Sequence, residues 1–126
     1  MPAPRPVDPH ELRAAVAAVS GWLAGGQPPD RAALAAAVRL SLRMLPHVAP
    51  GRSVEVRVPP FAAVQCVEGP RHTRGTPPNV VETDPRTWLE LATGALTWPD
   101  ALSAGRIKAS GTRADLAPYL PIVRVP

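Results

Sequence analysis

The chain has 126 residues, a length typical of one domain with a single core. Its formal charge is +4, but the arginines are scattered singly and aromatic residues are few, which disfavours a nucleic-acid-binding surface. No segment approaches the ~20 apolar residues of a membrane-spanning helix, so we expect no stable membrane insertion, and the N-terminus lacks the apolar run of a signal peptide. The single cysteine, Cys66, excludes an internal disulfide and favours a reducing, cytoplasmic location.

The N-terminal part of the chain predicts a tail followed by a helix. Residues 1–7 are rich in proline, and we expect them to form a flexible tail that precedes one domain over residues 8–126. Asp8 is a candidate N-cap, and Pro9 suits the first helical position. Apolar residues then recur at helical spacing at Leu12, Val16, Val19 and Leu23.

A second helix follows the same pattern after Asp30, which is again a candidate N-cap. Its predicted buried stripe consists of Leu34, Val38, Leu42 and Leu45. Three arginines, Arg31, Arg39 and Arg43, occupy the other side of this helix, and we interpret them as one solvated face.

Two strands are predicted next, joined through Pro59-Pro60 as a hairpin. The segment SVEVRV alternates strictly between apolar and polar residues, as a half-buried strand does. The segment FAAVQCV is almost continuously apolar, which predicts a strand covered on both faces. Cys66 lies in this second strand without a neighbouring base, so we interpret it as an inert buried thiol.

The segment from Glu68 to Asn79 is predicted to be a loop because it is rich in glycine and proline. One interpretation is a rigid connection to the short strand VVET. The other is the mouth of a cavity, where Arg71 or Arg74 contacts the carboxylate or phosphate of a ligand. His72, Glu68 and His47 do not have the spacing of a zinc site, so we predict no metal.

The C-terminal third contains several short elements. Asp84 and Pro85 start a helix that Gly94 ends, and Thr97 caps a second helix that Gly105 ends. The segment RIKAS is predicted to be a strand, and RADLAPYL a last short helix. The segment PIVRV is predicted to be either a final strand or a tail packed on the surface.

This C-terminal pattern resembles the sterol carrier protein superfamily, and together with RGTPPNVVETDP the chain resembles its small bacterial orthologue branch. The residues that carry the resemblance are Thr93-Gly94, Ala101-Leu102, Gly105, Ile107-Lys108, Gly111, Leu116 and Leu120. The resemblance implies an α+β fold. Two N-terminal helices would precede a mixed sheet of about five strands, with short C-terminal helices packed on one face. It also implies an apolar tunnel between sheet and helices.

We expect ligand contacts from apolar residues of this C-terminal motif and from one arginine of the loop. The candidates are Trp88, Leu91, Trp98, Leu102, Ile107, Leu116, Leu120 and Arg74. The competing interpretation of Trp88 and Trp98 is that they only fill the core where the short helices meet the sheet.

The resemblance implies two alternative functions. The first is a non-enzymatic carrier or binding module for a lipid, a fatty-acyl group or another apolar or anionic amphiphilic small molecule, without cofactor. The second is an accessory domain that kept the fold without a usable cavity and acts through a protein partner. No nucleophile–base pair or paired carboxylates occur at a recognisable spacing, so we expect no catalytic residues.

Overall fold

The computed structural model describes residues 5–69 and 79–124, which form helices on one face of a mixed sheet. The helices are α1 (Pro9–Leu23), α2 (Arg31–Arg43), α3 (Leu45–Val48), α4 (Pro85–Thr93) and α5 (Trp98–Ser103). The strands are β1 (Val54–Val58), β2 (Ala62–Cys66), β3 (Asn79–Thr83) and β4 (Ile107–Ser110). The α+β class expected from the sequence is therefore observed.

The helices α1, α2, α4 and α5 begin at the N-cap residues that the sequence predicts. Each cap side chain accepts a hydrogen bond from a backbone N–H of the first turn, which would otherwise lack a partner. The pairs are Asp8 with His10 at 2.8 Å, Asp30 with Ala33 at 2.8 Å, Asp84 with Thr87 at 3.0 Å and Thr97 with Asp100 at 3.3 Å. The single-turn helix α3, which directly follows α2, was not predicted.

The strand order is β2-β1-β3-β4. Strand β1 pairs antiparallel with β2 and parallel with β3, and β3 pairs antiparallel with β4. The described residues thus contain four strands rather than about five. The segment after Leu120 does not join the sheet, because Ile122 and Val123 donate their backbone N–H groups to the Ala92 carbonyl at 2.8 and 2.9 Å.

The helices cover the sheet face that carries Val54, Val56 and Val58, all of which are fully buried. The prediction that the second strand is covered on both faces was wrong. Strand β2 is an edge strand, with Ala63 exposed and Val64 only half-buried. Its small side chains and single pairing partner leave one margin of the sheet open.

The predicted helix over RADLAPYL is reduced to a 3-10 turn at Ala117–Tyr119. Pro118 lacks the N–H that a continuing helix needs, and Pro121 disfavours helical dihedrals at Leu120. Leu120 is accordingly extended, with φ −110° and ψ 147°.

Residues before α1 contact the domain from Arg5 onwards. The Arg5 carbonyl lies 2.7 Å from His47 Nε2, and Val7 packs against the small apolar cluster of Leu12, Val16 and Val123. Residues 1–4 of the predicted tail lie outside the described residues. Within the described ranges, no helix combines the length and the apolar character needed to cross a membrane.

Candidate functional site

An open groove of about 790 Å³ lies between α2, α3 and the edge strand β2, and we refer to it as the edge groove. It is lined by Arg5, Arg39, Arg43, Pro46, Pro50, Gly51, Arg52 and residues 61–65. The groove follows the margin of the sheet where, within residues 5–69 and 79–124, no further strand pairs with β2.

The strand side of the edge groove is apolar and composed of small residues. Ala62, Ala63 and Val64 line it directly, and Phe61 lines the end from which β2 starts. Ala62 shares the sheet face of Val56 and Val58, which the helices cover, and its small side chain leaves space between the sheet margin and α2. Pro46 and Pro50 add apolar surface on the opposite side.

Gly51 allows the chain to approach the far end of the groove closely. Its φ is +142°, and a Cβ at this position would lie 2.2 Å from the Val67 carbonyl. Glycine is therefore required here both by the backbone conformation and by the contact. The close approach brings Arg52 beside the end of β2.

Arg39 is held at the Phe61 end of the groove by two contacts. Its Nε donates to the Phe61 carbonyl at 3.3 Å, and its guanidinium carbon lies 6.0 Å from the centre of the Phe61 ring. Arg31 also lies over this ring, at 5.2 Å. Arg31 and Arg39 are exposed, in agreement with the predicted solvated face, whereas Arg43 is half-buried. Arg39 and Arg43 also form a wall of the groove, which was not predicted.

Arg52 is oriented in a similar way at the other end. Its Nε donates to Gln65 Oε1 at 3.2 Å. Phe61 and Gln65 are four residues apart on an extended strand, so the two arginines mark ends of the groove separated by about 13 Å. Arg43 lies on the wall between them and is half-buried.

The edge groove is lined by basic side chains and by no acidic one. All ten acidic residues of the chain belong to residues 5–69 and 79–124, and within these ranges none forms an ion pair with Arg5, Arg39, Arg43 or Arg52. The groove thus combines an apolar strand with arginines that no carboxylate side chain neutralises.

The structure distributes the predicted ligand-binding residues over several places. Leu91, Trp98 and Leu120 meet in a recess of about 220 Å³ beside Pro121. Trp88 and Leu116 are buried in the core, at 1% and 0% exposure.

Leu102 points outward on α5 with 43% exposure, and Ile107 is buried at the start of β4. Arg74 lies outside the described residues, so its role stays a prediction. The predicted residues therefore do not form one lining, and the edge groove was missed. Its sequence signal was weak: Arg39 and Arg43 on one side of a helix, and an Ala-Ala pair in a strand.

Cys66 lies on β2 but is turned away from solvent and is fully buried. Burial raises the pKa of its thiol from 9.0 to about 12. The thiol is thus protonated at neutral pH and is a poor nucleophile. Among the described residues, no group of three or more His, Cys, Asp or Glu side chains is placed to hold a metal ion.

A model of the family described as bacterial SCP ortholog, where SCP denotes sterol carrier protein, matches residues 30–122. The chain belongs to this family. The match starts at the N-cap of α2 and includes the whole strand side of the edge groove, whereas α1 and Arg5 precede it. Membership of the bacterial sterol carrier protein family indicates, in general terms, a lipid-binding carrier role. No curated protein matches the chain significantly.

Proposed function

We propose that this protein is a carrier or binding module for a fatty-acyl or other amphiphilic small molecule, and that it has no chemistry of its own. The observation that carries the proposal is the edge groove, an apolar channel lined by arginines in a family of lipid carriers. The ligand's apolar chain would lie along Ala62, Ala63 and Val64.

The volumes favour the edge groove over the recess at Trp98. Sites for small molecules usually measure about 300–1,000 Å³. The edge groove, at about 790 Å³, lies in this range, and the recess, at about 220 Å³, lies below it. The volumes therefore support a ligand site at the edge of the sheet where β2 lies, opposite to the C-terminal motif.

The apolar strand side supplies the driving force for binding. Each CH2 group of a ligand that leaves water contributes about 0.8 kcal/mol when it is fully buried. An open groove buries an alkyl chain only in part, so each group contributes less there. We therefore expect reversible binding and ready exchange, which a carrier needs.

The second candidate is a protein-interaction domain, and it is favoured by the backbone of β2. Ser53 donates its N–H to the Val67 carbonyl at 3.0 Å, which shows which residue pairs of the antiparallel strands β1 and β2 are hydrogen-bonded. Val56 and Val64 are then a non-hydrogen-bonded pair, so the backbone N–H and C=O of Val64 point away from β1 and towards the groove. An extended peptide can pair with such an edge.

The first experiment asks whether the protein carries a lipid. Purified protein is analysed by native mass spectrometry for copurified lipid and titrated with a fluorescent fatty-acid probe. The variant Ala63→Trp adds an indole to a lining residue of the edge groove, at an exposed strand position where the fold tolerates a larger residue. The control is Ala109→Trp, the same change at an exposed position of β4, the opposite edge strand.

We expect Ala63→Trp to weaken probe binding at least about tenfold and Ala109→Trp to leave it unchanged. If the wild-type protein takes up no probe and carries no lipid, the carrier proposal is wrong. Recovery of one stoichiometric protein partner that Ala63→Trp abolishes would then establish the interaction domain instead.

A further inference from the structure

Two arginines on the helix side of the edge groove are placed as a pair. Arg39 and Arg43 are separated by four residues on α2, so their Cβ atoms lie about 5–6 Å apart on the same side of the helix. Both side chains line the edge groove. A single small anion between them can accept hydrogen bonds from both guanidinium groups.

The contacts of Arg39 orient its guanidinium and leave part of it available. The bond to the Phe61 carbonyl uses Nε, so the two terminal nitrogens keep their donor hydrogens for a ligand. The Phe61 ring supports the planar group from one side. Arg39 is therefore already partly ordered in the free protein, which lowers the side-chain entropy cost of binding an anion.

The charge of the groove exceeds what one carboxylate neutralises. Four arginines line it, and no acidic side chain of the chain pairs with them. A phosphate monoester carries a charge of about −1.5 to −2 at pH 7 and presents three acceptor oxygens, whereas a carboxylate carries one charge and presents two oxygens. Of these headgroups, the phosphate monoester matches the arginine pair best.

We propose that the edge groove selects single-chain amphiphiles whose headgroup is a phosphate monoester. Arg39 and Arg43 contact the phosphate oxygens, and the alkyl chain extends along the apolar strand side towards Gln65. This inference rests on the proposed carrier function, which it deepens by assigning the headgroup class.

The test compares four ligands with the same ten-carbon chain, each below its micelle concentration, by isothermal titration calorimetry. They are decyl phosphate, decyl sulfate, decanoate and decanol. We expect decyl phosphate to bind at least about tenfold more tightly than decyl sulfate or decanoate, and decanol to bind most weakly. Affinity for decyl phosphate should rise between pH 5 and pH 7.5, because the second phosphate pKa is about 6, while affinity for decyl sulfate stays constant.

Variants then locate the headgroup. Arg39→Gln and Arg43→Gln should each weaken decyl phosphate binding about tenfold and leave decanol binding unchanged, because only the headgroup contact is lost. The control is Arg13→Gln, which removes an exposed arginine of α1 that does not line the groove. It lowers the net charge equally and should change affinity less than twofold.

The outcomes separate the two proposals. Equal affinity for decyl phosphate, decyl sulfate and decanoate overturns the headgroup assignment but leaves the carrier function in place. The headgroup assignment is likewise overturned, and the carrier function kept, if Arg13→Gln weakens decyl phosphate binding as much as Arg39→Gln. If none of the four ligands binds, both proposals are wrong. Both are also wrong if an acidic pentapeptide without an alkyl chain binds more tightly than decyl phosphate, and that result would establish β2 as an edge strand that pairs with peptides.

Discussion

The indole Nε1 of Trp88 donates a hydrogen bond of 2.9 Å to Ser41 Oγ, which joins α4 to α2 inside the core. Both residues are almost completely buried. Ser41 Oγ in turn donates to the Ala37 carbonyl at 2.6 Å. The interpretation of Trp88 as a core residue thus has a specific basis, since its polar atom is already paired within the protein.

Ser41→Ala should lower the free energy of unfolding by about 1–3 kcal/mol, because it leaves the buried indole N–H without an acceptor. Trp88→Phe removes the donor, so Ser41→Ala should cost much less in that background. Urea unfolding of the two single variants and the double variant gives the coupling energy. Strictly additive effects would show that the hydrogen bond does not contribute.

Asp84 begins α4 and is linked to the sheet through a short polar network. Thr87 donates its N–H and its hydroxyl to the Asp84 carboxylate, and Arg106 Nε donates to Thr87 Oγ1 at 3.1 Å. Partial burial alone would raise the pKa of Asp84, but the two hydrogen bonds from Thr87 and the charge of Arg106 outweigh it, and the net pKa is lowered from 3.8.

Asp84→Ala should lower the free energy of unfolding by about 1 kcal/mol at pH 7, as loss of an N-cap does. A carboxyl with a lowered pKa stabilises the fold above the pKa of its unfolded form, and this contribution disappears as the pH falls through the folded pKa. The difference between the wild type and Asp84→Ala should therefore shrink below about pH 4. Denaturant unfolding of both proteins at pH 7 and pH 3 measures this difference in the free energy of unfolding. A difference that does not depend on pH would mean that the ionised carboxylate does not stabilise the helix.

The helix starts were predictable because each depends on a few neighbouring residues. Asp8, Asp30, Asp84 and Thr97 act as caps through local hydrogen bonds, which tertiary packing does not override. Strand β1 was predictable for a related reason, since its alternation of apolar and polar residues reflects one buried face.

The edge groove could not be predicted because it depends on strand order. Whether β2 lies at the centre or at the edge of the sheet is decided by the parallel pairing of β1 with β3, and no local pattern encodes that pairing. An apolar sequence such as FAAVQCV is typical of a central strand. Here alanine reduces its bulk, and Arg39 and Arg43 reach over its margin.

Cys66 should be unreactive in the native protein. Because burial raises the pKa of its thiol to about 12, hardly any thiolate exists at pH 8. We expect a disulfide reagent such as Ellman's reagent to modify the thiol only at the rate of unfolding, and immediately in 6 M guanidinium. A second-order reaction with native protein at the rate of a free thiol would contradict the buried position.

The same raised pKa makes the fold sensitive to alkaline conditions. A group whose pKa is raised on folding stabilises the protein fully below its unfolded pKa of 9.0, and this stabilisation is lost as the pH rises towards about 12. Stability of the wild type should thus fall above pH 9 more steeply than that of Cys66→Ala. Thermal unfolding of both proteins from pH 8 to pH 10.5 tests this, and parallel pH profiles would contradict it.

Trp98 distinguishes the two possible locations of the ligand. It is 5% exposed and lines the recess with Leu91 and Leu120, far in the topology from the edge strand β2. If the ligand occupies the edge groove, Trp98→Ala lowers the free energy of unfolding by about 3–5 kcal/mol, as large core truncations do, but changes the affinity of the folded protein for the probe less than about threefold. Ala63→Trp should show the reverse, with weakened binding and nearly unchanged stability. Urea unfolding and probe titration at a temperature where circular dichroism shows both variants folded provide the comparison. A loss of affinity in Trp98→Ala that matches or exceeds the loss in Ala63→Trp would place the ligand at the recess, among the residues of the C-terminal motif.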